Sequence, residues 1–415
     1  MAQGDFTRGS RPSRSKRKAA RRRMRFVRLL LGLVVFAAGV VLMWFVGSLV
    51  VGGGGFPGMG GNGSTAPTPE LTSQPGYAIG PQLDLRTFRD LAYVPVRGLY
   101  VTSYAAGNST MRANVIKIAD QTEINALVID VKDATGYVSY DTQVPLAKEL
   151  GLAQRRIKDI DGLTSTLVAH KITPIARIVC FQDPVLAKKR PDLAVKSKKT
   201  GENWLDDNKS MYINPYKREV WEYLVELGEE AAHHGFREIQ FDYVRFPSDG
   251  PISDAVYPGA GSSQEDAIAA FLGFARERLE KLGVWVSADV FGLTVHATND
   301  GGIGQKVEKV AANVDIVCPM LYPSHYDTGS YGFTSPNAHP YEIVSAALAD
   351  TKKRLAGTGA MGRPWLQDFT LGSPPYGVEE VKAEIKAAKD QGFQEWILWN
   401  AGVKYTVGAL KPEQP

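Results

Sequence analysis

An aspartate stands inside an otherwise apolar run, Gly235-Phe-Arg-Glu-Ile-Gln-Phe-Asp-Tyr-Val-Arg-Phe-Pro247, with Tyr243 and Arg245 directly behind Asp242. Ile239, Phe241 and Val244 make the run strand-like, Gly235 releases whatever helix precedes it, and Pro247 stops it. A carboxylate inside a core strand is costly unless it is paired or lines a cavity. Asp289 repeats the pattern in Val284–Phe291, two residues beyond Ser287, and Asp130 and Lys132 do so in Ala126–Asp133. Because alternate residues share a side of a strand, Gln240 goes with Asp242, Ser287 with Asp289, and Asp130 with Lys132. Two carboxyl groups at matching depths on neighbouring strands suit acid/base displacement, one giving a proton while the other attacks or activates water.

Further polar residues end other apolar runs: Arg177 in the third, Met320 to Tyr322 in the sixth, Gln367 and Asp368 in the seventh, Trp399 and Asn400 in the eighth. Polar groups converging from so many strands point to a polar ligand. Aromatic residues accompany them, namely Tyr104, Trp204, Tyr212, Tyr243, Tyr322, Tyr326 and Trp399. Flat rings beside carboxylates suit sugars, which offer a C–H face for stacking and hydroxyls for hydrogen bonding. Trp285, Trp365 and Trp396, within strands, read as plain core. The sequence has no Gly-rich phosphate turn, no H-x-H or H-E-x-x-H metal spacing and no G-x-S-x-G elbow, so the reading carries no metal and no cofactor. His296 and His325 are minor candidates for the rim, and His233 and His234 are read as solvated or capping. Cys180 and Cys318 fall on distant strands and are expected to be free buried thiols.

The elements that must position these groups alternate regularly. Eight short β-branched runs, beginning at Gly98, Ala126, Ile172, Gly235, Val284, Val314, Pro364 and Glu395, are separated by amphipathic helical stretches. These stretches lie near 110–121, 159–170, 215–234, 264–282, 303–312, 341–355 and 378–391. Asn214-Pro215 has the form of a helix start. The pattern predicts a (β/α)8 TIM barrel over 83–415, whose site lies at the C-terminal ends of the strands. A doubly wound open sheet is the alternative, but it would carry a Gly-rich turn after the first strand.

The net charge of +4 conceals an uneven distribution: residues 1–28 hold eleven Lys or Arg and one acid, leaving the remainder at −6. A nucleic-acid reading of the folded part therefore loses its support. Residues 29–51 carry no charge, and as a helix they would span ~34 Å, enough for a hydrocarbon core of ~30 Å. The expectation is a cytoplasmic tail at 1–28, a single membrane span at 29–51 in contact with the lipid bilayer, and a Gly/Pro/Ser/Thr-rich linker at 52–82. The rest would lie outside the cell membrane.

Val128-Ile-Asp-Val-Lys132, Ile239-Gln-Phe-Asp-Tyr-Val-Arg-Phe-Pro247, Ser287-Ala-Asp-Val-Phe-Gly292 and Pro319-Met-Leu-Tyr-Pro323 resemble a bacterial family of glycoside hydrolase-like TIM barrels, over about 96–405. A more distant likeness is to chitinase-type barrels, through Asp242, Phe246-Pro247, Met320, Tyr322 and Trp399. Their catalytic Glu is missing, with Val244 and Arg245 in that neighbourhood, so substrate-assisted hydrolysis is not carried over. The resemblance implies glycoside hydrolysis of a polysaccharide or oligosaccharide. Asp242 is expected as nucleophile and Asp289 as general acid/base, with roles exchangeable and Asp130 or Asp368 as substitutes for Asp289. Neighbouring strands ~4.8 Å apart favour the carboxyl separation of about 5–5.5 Å found in retaining enzymes. Arg245 or Arg177 would hold Asp242 ionised, and apolar Ala288 and Val290 would raise the pKa of Asp289. Asp130, Lys132, Arg177, Trp204, Tyr243, Arg245, Tyr322, Gln367 and Trp399 complete the expected substrate site. The alternatives are a non-catalytic carbohydrate-binding barrel and a sugar-acid lyase or isomerase using Lys132.

Overall fold

The computed structural model describes residues 93–412. The expected basic tail, membrane span and linker lie outside the described residues. Eight parallel strands close into a barrel: β1 Arg97–Val101, β2 Ala126–Lys132, β3 Thr173–Val179, β4 Glu238–Asp242, β5 Trp285–Phe291, β6 Ile316–Met320, β7 Trp365–Gln367 and β8 Trp396–Trp399. They neighbour one another in chain order. Met320 of β6 reaches Trp365 of β7, and β8 returns to β1 through Ile397 and Gly98. Closure excludes the open doubly wound sheet. The main helices on the outside are α1 Ser109–Gln121, α2 Ile160–Ala169, α3 Arg218–His233, α4 Gln264–Leu279, α5 Val307–Ala311, α6 Pro340–Leu355 and α7 Val378–Asp390.

The sequence periods explain the layers. In α3, Val220, Leu224, Leu227 and Ala231 recur at helical spacing and form one buried face. Gly235, at φ 89°, then turns the chain into β4. In the strands one set of alternate residues packs against the helices: Leu127 and Ile129, Ile239 and Phe241, Val286, Ala288 and Val290. The other set fills the barrel, with Val128, Ile175, Ile316, Cys318, Trp365 and Ile397 in one apolar cluster. Ala288 and Val290 thus face the helices and do not surround the Asp289 carboxyl.

Two helix starts differ from expectation. α3 begins at Arg218, because Asn214 serves the preceding turn: its side chain accepts from Tyr216 N at 3.0 Å and donates to the Pro258 carbonyl at 3.0 Å. The helix expected over 303–312 shortens to α5, since Gly304 adopts φ 81° and Gln305 turns into the barrel wall.

An ionic plug fills the N-terminal end of the barrel. Arg363 donates to both Glu238 oxygens at 2.7 and 2.8 Å and to the Tyr93 hydroxyl at 2.9 Å, with Glu395 at 3.5 Å. Ser287 joins it through a 2.5 Å bond to Glu238, so it serves the base of the barrel rather than the mouth.

Candidate active site

Arg177 is the hub of the opposite end. Its Nη1 donates to Asp130 Oδ1 at 2.5 Å and its Nε to Asp242 Oδ2 at 3.0 Å, and Nη2 also donates to that oxygen. β3 places Arg177 level with Asp130 on one side and Gln240 on the other, so its fork rises between two carboxylates. Asp130 takes a second bond from the Tyr100 hydroxyl at 2.5 Å. Tyr100 stacks on Trp399 with centroids 3.9 Å apart, and the guanidinium carbon lies 5.3 Å from the Trp399 ring centre. Burial pushes Asp130 up to about 6, with Arg177 opposing and Asp133 adding to the rise.

Asp242 is held from both sides. Arg177 occupies Oδ2, while Oδ1 accepts the Tyr243 N–H at 2.6 Å. That second bond needs an unusual backbone: Tyr243 sits at φ 49°, a left-handed conformation that costs a non-glycine residue about 1–2 kcal/mol. The ion pair to Asp242 comes from Arg177 and not from Arg245.

Asp289 stands one step beyond the last paired register of β4 with β5, Phe241 against Ala288. Its Oδ1 accepts the Trp365 indole N–H at 2.7 Å, and its Oδ2 is buried without a hydrogen-bond partner. Burial drives its pKa well above the usual carboxylate range and the Asp242 charge adds to the rise, while the Trp365 donor pulls the other way. The surroundings therefore favour the protonated form of this carboxyl. Asp242 is 4% exposed and Asp289 1%. Tyr322 is buried in the barrel-interior cluster; burial raises its hydroxyl pKa, and the charges of Asp289 and Asp242 raise it further. His325 packs edge-on against Tyr322 at 5.4 Å.

The rim between β4 and β5 is clamped by a residue that sequence reasoning missed. Gln305 donates to the Asp289 carbonyl at 3.0 Å and accepts from Phe291 N at 2.9 Å, while Phe246 N donates to the Ile303 carbonyl at 2.9 Å. On the other side of β5 a Cβ at Gly292 would lie 2.3 Å from the Met320 carbonyl oxygen, so only glycine lets β5 and β6 end this close together. Tyr100 and Trp365 were missed as well. Their inward parity was readable, but their contact with Asp130 and Asp289 depends on the stagger of the closed barrel.

Other expected residues lie away from this cluster. A bulge between Asp130 and Lys132 leaves Lys132 level with Ile178, whose side chain faces the helices. Lys132 is fully buried there, 3.0 Å from Asp183 Oδ2 and donating to the Val179 carbonyl at 2.6 Å. It does not share a side with Asp130, because an extra residue resets the alternation. Trp204 is buried with Val195 and Tyr212 in a satellite cluster, its indole donating to the Pro251 carbonyl at 3.1 Å. Gln367 is buried and holds loops, accepting from Ser324 N at 3.1 Å and donating to the Phe369 carbonyl at 2.9 Å. Asp368 binds Thr406 through N at 2.9 Å and Oγ1 at 2.6 Å. His296 pairs with Asp350 of α6 at 2.8 Å. Both cysteines are free and buried. Among the described residues no group of three His, Cys, Asp or Glu is arranged to hold a metal ion.

The family described as "Putative glycosyl hydrolase domain" matches residues 98–405, from the first residues of β1 to the loop that closes on it. The chain belongs to this family. A hypothetical protein from Ruminiclostridium thermocellum is 40% identical over 46% of this chain and 97% of its own, with a TM-score of 0.43. The PgaB (BpsB) glycoside hydrolase domain from Bordetella bronchiseptica is 13% identical over 75% of this chain and 95% of its own, with a TM-score of 0.57. The glycoside hydrolase domain of PelA from Pseudomonas aeruginosa is 10% identical over 75% and 96%, at 0.43. No curated protein matches the sequence. Family membership makes this a glycosyl hydrolase-like domain, and the PgaB likeness is one of fold alone.

Proposed function

We propose that this glycosyl hydrolase-like barrel is a glycoside hydrolase acting on a polysaccharide or oligosaccharide through Asp242 and Asp289. The observation that carries the reading is the unequal environment of the two carboxyls. Asp242 is ion-paired by Arg177; Asp289 is pushed toward its protonated form and has a free Oδ2. Two carboxyls held in such unequal surroundings are what paired acid/base chemistry needs. Asp289 would protonate the glycosidic oxygen from Oδ2. Asp242 would attack the anomeric carbon through Oδ1, which keeps a lone pair beyond the Tyr243 bond. The closeness of adjacent strands favours retention. Trp399, stacked on Tyr100, and Tyr322 would take the faces of the sugar rings. The uncharged stretch 29–51 and the basic residues before it support a barrel tethered to the outer face of the cell membrane.

A non-catalytic carbohydrate-binding barrel is favoured by one feature, the near-complete burial of both carboxyls. The test uses the full-length chain with bacterial wall, capsular and plant polysaccharides, following new reducing ends. Asp242→Asn should abolish release, and Asp289→Asn should reduce it by about 10²–10⁴-fold. Release that persists in both variants refutes the assignment, and binding without release by the wild type favours the binding barrel. Protease treatment of intact cells should remove the barrel, and full protection would refute the external location.

A further inference from the structure

Four cationic side chains are buried in the described barrel, and three are matched by acids. Lys132 has Asp183, Arg177 has Asp130 and Asp242, and Arg363 has Glu238 and Glu395. The fourth, Arg245, is 4% exposed, and among the described residues no carboxylate oxygen lies within 4.0 Å of its nitrogens. Its Nη1 donates to the Phe246 carbonyl at 3.0 Å. Its Nε is buried without a partner, and no bond from Nη2 to a described residue is present. The guanidinium carbon lies 5.0 Å from the Tyr243 ring centre and 4.5 Å from that of Phe291. Two rings recover only part of the cost of desolvating a charge.

The position of this charge decides its meaning. Tyr243 supplies the N–H that holds Asp242, and Phe291 lies two residues beyond Asp289 on the same face of β5. The Gln305 clamp fixes this segment against the end of β5. The unused side of the guanidinium, Nε with Nη2, is an edge that takes two oxygens of a carboxylate in parallel. Asp249 lies nearby, since Tyr212 and Tyr243 feel both its charge and that of Arg245, yet the two make no ion pair.

We propose that Arg245 is the anion-binding group of the sugar site and that the substrate is an acidic glycan. A sugar carboxylate would dock on the Nε–Nη2 edge, beside the bond that Asp242 and Asp289 address. This rests on the glycosidase reading above. A phosphate on the sugar offers the same pair of oxygens, so the test separates the two sources.

Full-length protein is examined by affinity electrophoresis in polygalacturonate and its carboxyl-reduced form, and in phosphomannan and its dephosphorylated form. The wild type should bind a charged polymer about 10- to 100-fold more tightly than its neutral counterpart, the range expected for a charge-assisted pair. Arg245→Gln should remove the preference and Arg245→Lys, which keeps charge without the fork, should restore part of it. Preference for polygalacturonate identifies a carboxylate, and preference for phosphomannan identifies a phosphate in its place. Equal binding of charged and neutral polymers overturns the acidic substrate while leaving the glycosidase reading intact. A preference that survives Arg245→Gln belongs to the basic N-terminal tail and also overturns it. Binding of none of the four overturns the acidic-glycan proposal, while the reducing-end assay decides the glycosidase reading separately. If Arg245→Gln fails to fold, the Lys variant and the wild-type comparison decide.

Discussion

Replacing Arg177 by Met should destabilise the barrel in a strongly pH-dependent way. The substitution keeps most of the side-chain volume and removes every charged partner of Asp130 and Asp242. Asp130 would retain the Tyr100 hydroxyl, and Asp242 one backbone N–H. Breaking a buried pair by deleting one partner costs about 3–5 kcal/mol. At roughly 2 °C per kcal/mol, the low end for domains of this size, Tm should fall by about 6–10 °C near neutral pH. Asp130 already stands at about 6 against an ordinary 3.8 with Arg177 opposing the rise, and without Arg177 it climbs further. A carboxyl with a raised folded pKa is protonated in the folded chain where the unfolded chain has lost the proton. Stability therefore falls as pH rises from the unfolded value through the folded one. The deficit should be largest above about pH 6 and shrink toward pH 4, the unfolded carboxylate range. Calorimetry of both proteins from pH 4 to 8 measures it. A loss under about 1 °C, or one independent of pH, would refute the view that Arg177 neutralises a buried acidic cluster.

Two further outcomes follow from the same geometry. Trp365→Phe removes the donor that opposes the rise in the Asp289 pKa, so the proton is held more tightly and the basic limb of the kcat/KM profile should move to higher pH; an unmoved limb would mean that Asp289 is not the titrating acid. Lys132→Met leaves Asp183 buried and unpaired, and denaturant unfolding should show a loss of about 3–5 kcal/mol. Adding Asp183→Asn, which keeps an oxygen for the Leu186 N–H, should recover part of that loss, whereas strictly additive losses would argue against the pair.

Much of this site was legible because it obeys short periods. Acidic residues at alternate positions in apolar runs identify Asp130, Asp242 and Asp289 as inward-facing, since their neighbours Ile129, Phe241 and Ala288 must face the helices. Arg177 could be named for the same reason. Alternation fails wherever the ladder is irregular, and the bulge that leaves Lys132 level with Ile178 has no signature in Ala126–Asp133. Trp204 misled because an aromatic in a polar loop looks available for stacking, while a local cluster had already buried it.

Trp365 marks the boundary between the two kinds of information. Its place within a strand follows from composition, and burying so large a ring is favourable wherever it occurs. That its N–H meets Asp289 depends on β6 pairing with β7 at one register, Met320 against Trp365. The sequence by itself determined the eight-unit barrel and the inward carboxylates, because both follow from periods of two and of about 3.6 residues. Only the tertiary structure decided which arginine serves which acid, with Arg177 bound to Asp130 and Asp242 and Arg245 left open at the rim. Ion pairing depends on separations of a few ångströms between residues far apart in the chain, and those separations are set by strand stagger, a bulge and the left-handed turn at Tyr243.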